Sequence, residues 1–207
     1  MLITFEGIEG SGKSTQVELL YQYLTGKGYE VVKTREPGGT VFGEALRKIF
    51  LQTSMPASPL SELLVFMAIR AQHVEEIITP ALEKGKIIIC DRFTDASYAY
   101  QGYGRGMDMK VIAMLNKLVT KGIEPELTIL LNCKVDTGFK RKVALGESMD
   151  RFEKEALTFH KKIRNAYIKI SKENPGRFFV INGGKKKEDI HRAITKKVEK
   201  LLKNHGI

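Results

Sequence analysis

Residues 7–14 read Gly7-Ile8-Glu9-Gly10-Ser11-Gly12-Lys13-Ser14 and directly follow a short apolar run, residues 1–5. The spacing Gly-x-x-x-x-Gly-Lys-Ser is typical of a loop that wraps around a polyphosphate. Glycines let the backbone adopt positive φ, so consecutive N–H groups can point at phosphate oxygens. The alternative is a glycine-rich turn with a solvated lysine. The strand expected before the loop and the amphipathic helix expected after it favour phosphate binding.

The loop predicts where a nucleotide and its metal would bind. Lys13 is expected to reach the β- and γ-phosphates as a point charge, and the Ser14 hydroxyl is expected to bind Mg²⁺. The residues expected to hold the phosphates are Gly7, Ile8, Glu9, Gly10, Ser11, Gly12, Lys13, Ser14 and Thr15.

The length of 207 residues suits one domain with a sizeable core. No apolar run approaches the roughly 20 residues of a membrane helix, and the N-terminus lacks the charged start of a signal peptide. Cys90 and Cys133 each end a hydrophobic run, which favours buried thiols over a disulfide or a metal site. We therefore expect a single soluble cytoplasmic domain with no membrane partner.

The formal charge of +10 is unevenly distributed. Residues 1–133 carry 14 basic and 15 acidic side chains, whereas residues 134–207 carry 20 and 9. The excess lies along amphipathic helical patterns, as in a solvated helix face, and no base-reading motif accompanies it. We therefore expect no nucleic-acid partner.

Strand-like and helix-like segments alternate along the whole chain, which predicts an α/β fold. The expected architecture is three-layer αβα with a five-stranded parallel sheet. Strands are predicted at residues 2–6, 30–34, 86–90, 127–132 and 178–181. Helices are predicted at residues 13–25, 41–51, 60–83, 109–120, 136–143, 151–173 and 187–202. Charged loops follow the first three strands, and strand carboxyl ends meet at one edge, so we expect one cleft there.

Asp91 directly follows the third predicted strand, where it could complete the Mg²⁺ shell or simply cap the following turn. The adjacent Arg92 favours function, because a guanidinium can clamp an acceptor phosphate bidentately. A switch GTPase would need an Asn/Thr-Lys-x-Asp motif, which the sequence lacks. A nucleotide kinase needs a second basic pocket, and the candidate side chains for it are Arg35, Arg70, Arg92 and Arg105.

More restrictive motifs accompany the phosphate loop. They are Arg35-Glu36-Pro37-Gly38-Gly39-Thr40, Leu63-Leu64-Val65-Phe66 with Arg70, Asp91-Arg92-Phe93, Ser97, Ala99-Tyr100-Gln101-Gly102 and Asp150-Arg151-Phe152-Glu153. With these motifs the chain resembles, over nearly its whole length, the bacterial-type thymidylate kinases of the P-loop nucleoside monophosphate kinase family. The resemblance implies a P-loop NTP hydrolase-like fold, a homodimer, and transfer of the γ-phosphate of MgATP to the 5′-phosphate of dTMP. The product dTDP would supply dTTP biosynthesis.

The resemblance also assigns the dTMP-binding residues. They are Glu9, Arg35, Glu36, Phe66, Arg70, Arg92, Ser97, Tyr100 and Gln101. Phe66 would stack on thymine and Arg70, one helical turn later, would donate to the base carbonyl. Tyr100 would lie against C2′ and reject ribonucleotides sterically. Arg92 would hold the acceptor phosphate, with Glu9 near the sugar hydroxyl and phosphate.

Some family members carry a basic side chain in the phosphate loop where this chain has Gly10; others supply the charge from a mobile lid. We therefore expect a lid at about residues 143–150, flanked by Arg141 and Arg151. The candidate catalytic residues are Lys13, Arg92, Arg141, Arg151 and Glu9, and the candidate metal-binding residues are Ser14 and Asp91. Two alternatives remain open: a deoxynucleoside kinase with a carboxylate base such as Glu36, and an ATP-dependent nucleic-acid-binding protein.

Overall fold

A computed structural model of the chain describes residues 1–52, 56–144, 151–152 and 155–206. Its five strands are β1 (Leu2–Glu6), β2 (Val31–Arg35), β3 (Ile87–Asp91), β4 (Leu127–Asn132) and β5 (Phe178–Asn182). All of their pairings are parallel, and the strand order is β2-β3-β1-β4-β5. The predicted five-stranded parallel sheet is confirmed, and each strand lies within one residue of its predicted position.

Helices cover both faces of this sheet. They are α1 (Lys13–Gly26), α2 (Val41–Gln52), α3 (Pro59–His73), α4 (Thr79–Glu83), α5 (Thr94–Ser97), α6 (Met109–Thr120), α7 (Val135–Ala144), α8 (Leu157–Glu173) and α9 (Lys187–Asn204). One face packs against α1 and α9 through Leu20, Leu24 and Val198, and the other packs against α8 through Tyr167 and Ile170. The central strands β1, β3 and β4 are almost entirely buried and mostly apolar, as expected where a sheet is covered on both faces.

Two helical regions differ from the sequence prediction. The predicted helix at residues 60–83 contains a wide π-helical turn, Val74–Ile78, between α3 and α4. Pro80 lies just beyond it, and its ring would clash with the carbonyl of residue 76 in a regular helix, so the wider turn accommodates it. The helix formed by α5 and a second π-helical turn, Tyr98–Gly104, was not predicted from the sequence.

The predicted start of α8 at residue 151 was wrong, since the helix begins at Leu157. Arg151 and Phe152 form a turn instead, and the Phe152 ring is buried beside Phe66 and Tyr100. Of the predicted lid, residues 143–144 belong to α7, and residues 145–150 lie outside the described residues.

Candidate active site

The loop after β1 makes two very close backbone contacts with α7. Gly10 has a φ of +66°, and a Cβ there would lie 2.1 Å from the carbonyl oxygen of Gly138. A Cβ on Gly138 would in turn lie 2.4 Å from the carbonyl oxygen of Glu9. The loop and α7 therefore meet backbone to backbone, and a side chain at position 10 has no room in this arrangement.

Lys13 begins α1 and is buried, with 7% of its surface exposed. Its Nζ donates to the carbonyl oxygens of Gly7 (3.1 Å) and Ile8 (3.0 Å). Burial and the nearby positive charge of Arg92 lower the Lys13 pKa from 10.5 to about 8. The charged form of Lys13 is thus unfavourable in the folded protein, and the negative charge of a bound phosphate would compensate this cost.

Ser14 and Asp91 place two oxygen groups side by side at the start of α1. The Ser14 hydroxyl donates to Asp91 Oδ2 over 2.9 Å. No cluster of three or more His, Cys, Asp or Glu side chains that could hold a metal occurs in the described ranges. Mg²⁺ often binds proteins through only one or two side chains plus phosphate and water oxygens. The Ser14–Asp91 pair therefore fits Mg²⁺ carried by a nucleotide.

Arg92 follows β3 in a left-handed backbone conformation, with a φ of +72°. Its guanidinium donates to the Gly7 carbonyl (2.9 Å) and to Glu9 Oε1 (2.8 Å), and the Tyr100 hydroxyl donates to the same Glu9 oxygen (2.6 Å). Burial would raise the pKa of Glu9, but the Arg92 charge and these hydrogen bonds hold it well below its usual range. Glu9 is therefore ionised and paired with Arg92 at neutral pH.

A second buried carboxylate, that of Glu6, helps to position Arg92. Glu6 Oε1 accepts from the backbone N–H of Phe93 (2.8 Å), and Glu6 Oε2 accepts from the Tyr167 hydroxyl (2.7 Å). That hydroxyl also accepts from Arg92 Nη1 (3.0 Å). Complete burial raises the pKa of Glu6 to about 7, against the opposing charge of Arg92. Glu6 and Tyr167 thus fix both the backbone and the guanidinium at Arg92.

Phe66 and Arg70 lie one turn apart on α3, as predicted, and both line the same cleft. The Phe66 ring packs against Phe50 and Phe152, with centroids 5.3 Å and 5.8 Å away. Ser97 and Gln101 also line the cleft, from the helix after β3. An aromatic ring beside buried polar groups suits a flat heterocycle with a hydrogen-bonding edge.

Both carboxylate oxygens of Glu36 contact neighbouring side chains. Its Oε2 accepts from Arg70 Nε (2.7 Å), and its Oε1 lies 2.9 Å from His73 Nδ1. Burial would raise its pKa, but the positive charge of Arg70 and the His73 hydrogen bond lower it. With both oxygens occupied, Glu36 organises the cleft wall and is poorly suited to accept a proton.

Of the remaining basic side chains predicted for the site, some line the cleft and others do not. Arg35 lines the cleft and pairs with Glu44, whereas Arg105 pairs with Glu62 and Glu155 and does not line it. Arg141 on α7 lines the cleft and donates to the Gly183 carbonyl (2.9 Å).

The Arg151 guanidinium lies over the Phe50 ring at 4.3 Å and 3.7 Å from Glu62, outside the cleft lining. Of the two flanking arginines, Arg141 therefore lines the same cleft as the phosphate loop, and Arg151 does not.

These groups surround a cleft of about 770 Å³. Of the predicted site residues, those not lining it are Gly7, Ile8, Ser11 and Arg151. Sequence reasoning missed Arg47 and Phe152, which line the cleft, and Glu6 and Tyr167, which support it. Phe152 lies within a quoted motif and Glu6 directly precedes the phosphate loop, and these two positions were the available signals.

In the part of the chain that the structure describes, no helix has both the length and the apolar character needed to cross a bilayer.

Comparisons with known proteins give a consistent result. Residues 5–194 match the family model described as thymidylate kinase. The chain is 50% identical over 200 residues to a thymidylate kinase from Geotalea daltonii, covering 93% of this chain and 94% of that protein. It is 46% identical over 206 residues to a thymidylate kinase from Halothermothrix orenii, covering 98% of each.

A solved structure agrees with these sequence matches. The crystal structure of thymidylate kinase from Ehrlichia chaffeensis aligns with a TM-score of 0.79 at 38% identity, covering 96% of this chain and 98% of that one. Since the family model spans most of the chain and the relatives match it nearly end to end, the chain belongs to the thymidylate kinase family.

Proposed function

We propose that the protein is an ATP-dependent nucleoside monophosphate kinase that transfers the γ-phosphate of ATP to the 5′-phosphate of dTMP, giving dTDP and ADP. One observation carries the proposal: the phosphate loop with Lys13 opens into the same cleft as Arg92, Phe66 and Arg70. Donor and acceptor sites that share a cleft allow direct transfer between two bound nucleotides. The family to which the chain belongs supports the choice of dTMP.

The residues divide the work as follows. Lys13 binds the β- and γ-phosphates. Arg92, which is held in place by Glu9, binds the dTMP phosphate. A phosphate monoester is largely dianionic at neutral pH, so the attacking oxygen needs no general base. Arg141 adds positive charge near the phosphate loop as charge spreads over the transferred group. Positioning and charge neutralisation are therefore sufficient for the chemistry.

Mg²⁺ is part of the proposal, with Ser14 and Asp91 as its protein ligands. When bound with ATP, it neutralises phosphate charge and orients the β- and γ-phosphates. Asp91 also places a negative charge that favours a cation beside the loop.

A homodimer is also proposed, since two helices that pack against each other expose large apolar side chains. These are Leu60 and Leu64 on α3 and Met114 and Leu118 on α6. Light scattering during gel filtration should give about twice the chain mass of 23.3 kDa. A cytoplasmic location, where ATP and deoxynucleotides are available, completes the proposal, and cell fractionation tests it.

An assay of ADP release with dTMP, with thymidine and without acceptor tests the reaction. Of the three conditions, we expect ADP release only with dTMP, because the paired Glu36 is a poor base for activating the thymidine hydroxyl. Phosphorylation of thymidine with none of dTMP would contradict the proposal and favour a deoxynucleoside kinase. Salt-sensitive duplex binding with DNA-stimulated ATP hydrolysis would instead favour a nucleic-acid-binding protein.

A further inference from the structure

The side-chain amide of Gln101 has a fixed orientation in the cleft wall. Its Nε2 donates to Glu62 Oε1 over 2.8 Å, and both side chains are about 1% exposed. Arg105 also donates to Glu62, through Nε to Oε1 (3.3 Å) and Nη2 to Oε2 (3.2 Å). A carboxylate held by an arginine in this way presents only acceptors to its other neighbours. The nitrogen of the Gln101 amide must therefore face Glu62.

This orientation decides what Gln101 offers to a ligand. Gln101 lines the cleft, and its amide oxygen has no hydrogen-bond partner within the described ranges. Because the nitrogen is turned toward Glu62, the oxygen is the atom left for a ligand. The cleft wall therefore presents an acceptor at this position.

Arg70 presents a donor in the same wall. A guanidinium has five N–H groups. Four N–H groups of Arg70 already donate hydrogen bonds. Their acceptors are Glu36 Oε2 (2.7 Å), Ser97 Oγ (2.9 Å), Asn116 Oδ1 (2.6 Å) and the Phe93 carbonyl (2.9 Å). Among the described residues, one Nη2 hydrogen of Arg70 is left without an acceptor. The Ser97 hydroxyl can donate or accept, so it does not discriminate between ligands.

A donor and an acceptor in one wall complement only some pyrimidines. Thymine and uracil carry the O4 acceptor beside the N3–H donor, whereas cytosine carries the N4 amino donor beside the N3 acceptor. We propose that Glu62 is a specificity-determining residue: by holding the Gln101 amide nitrogen, it makes the cleft accept 4-oxo pyrimidine monophosphates and reject the 4-amino pyrimidine of dCMP. This inference rests on the proposed function and extends it to a residue that does not touch the substrate.

The variant Glu62→Gln tests this role. A glutamine at position 62 can pair with Gln101 in either orientation, so Gln101 can then turn its nitrogen toward the cleft. We expect the ratio of kcat/KM for dCMP to that for dTMP to rise about tenfold or more, the usual effect of one corrected buried hydrogen bond. The ratio for dUMP to dTMP should stay unchanged, because uracil and thymine share the O4 and N3–H pattern.

Glu155→Gln is the matched control. Glu155 also pairs with Arg105, at 2.6 Å, but has no contact with Gln101 among the described residues. It should leave both ratios unchanged. If Glu62→Gln lowers kcat/KM for all three nucleotides in proportion, Glu62 is merely structural and the inference is wrong.

A second variant covers the case in which Glu62→Gln does not fold. Gln101→Met keeps Glu62 and removes the amide acceptor, so it should lower kcat/KM for dTMP and dUMP while sparing dCMP. An equal loss for all three would overturn the inference. Failure of the proposed function is distinguishable, since the wild-type protein would then lack activity with dTMP itself.

Discussion

The substitution Lys13→Met should stabilise the nucleotide-free protein while removing its activity. Lys13 is buried, and its pKa is lowered from 10.5 to about 8 by burial and by Arg92. At neutral pH the folded protein therefore carries an ammonium that would be better solvated in the unfolded chain. Methionine has a similar length and no charge, so it removes this cost.

The expected magnitude follows from the pKa. One pKa unit corresponds to about 1.4 kcal/mol, so the lowering to about 8 amounts to ~3 kcal/mol of unfavourable free energy below pH 8. The variant also loses two hydrogen bonds, but each acceptor keeps another donor. Arg92 still donates to the Gly7 carbonyl, and Ser11 N–H to that of Ile8. Subtracting about 1 kcal/mol for each lost bond leaves a net stabilisation of ~1 kcal/mol, or a Tm higher by about 2–4 °C.

Thermal unfolding with and without nucleotide measures this effect. The sign depends on pH: the penalty on the folded state is full below pH 8, shrinks between pH 8 and 10.5, and disappears above 10.5, where Lys13 becomes neutral in both states. The stabilisation should therefore be present at pH 7 and absent at about pH 9.5. A non-hydrolysable ATP analogue should reverse the order of the two Tm values, because only the wild-type lysine gains phosphate as a partner.

Activity should fall by a factor of about 10² or more, as expected when a charge that stabilises the transition state is lost. Lys200→Met, on the exposed face of α9, is the matched control and should change neither Tm nor activity. A nucleotide-free Tm for Lys13→Met below that of the wild type at pH 7 would refute the reasoning, as would a stabilisation independent of pH.

Three further predictions concern the cleft. Tyr167→Phe should raise the KM for dTMP about tenfold and leave the KM for ATP unchanged, since the hydroxyl supports Arg92; steady-state kinetics with each substrate varied would show this. Tyr100→Ala should relax discrimination between dUMP and UMP, whereas Tyr100→Phe should keep it, if the ring excludes the 2′-hydroxyl; competition assays measure the ratio. Asp91→Asn should raise the Mg²⁺ concentration for half-maximal activity about tenfold with little change in Tm, as metal titration of the activity would show.

Each of these has a clear contrary result. Equal increases of both KM values in Tyr167→Phe would mean a general loss of structure. Unchanged discrimination in Tyr100→Ala would place the selection elsewhere. An unaltered Mg²⁺ dependence in Asp91→Asn would remove Asp91 from the metal site.

The sheet and the phosphate loop were predictable from the sequence because local patterns determine them. Continuous apolar runs identified β1, β3 and β4, and the glycine spacing identified the loop between β1 and α1. The position of Phe66 and Arg70 on one helix face followed from their spacing of four residues. In each case the signal lies within a few consecutive residues.

The supporting residues could not be predicted, because their roles depend on contacts across the fold. Glu62 reads as an ordinary surface residue of a helix, yet it is buried against Gln101 and Arg105, which lie about 40 residues away along the chain. Tyr167 reads as one more apolar position of α8, and only its contacts with Glu6 and Arg92 show why a hydroxyl is needed there. Buried polar networks of this kind have no local periodicity.

The contact between Gly10 and Gly138 has an evolutionary consequence. Any larger residue at position 10 would collide with α7 unless the helix backbone first moved away. A mutation that added a basic side chain to the loop would therefore be deleterious by itself, and withdrawal of α7 would carry Arg141 away from the loop. In this chain, moving the charge from α7 to the loop therefore requires at least two coordinated changes, one at position 10 and one in the packing of α7.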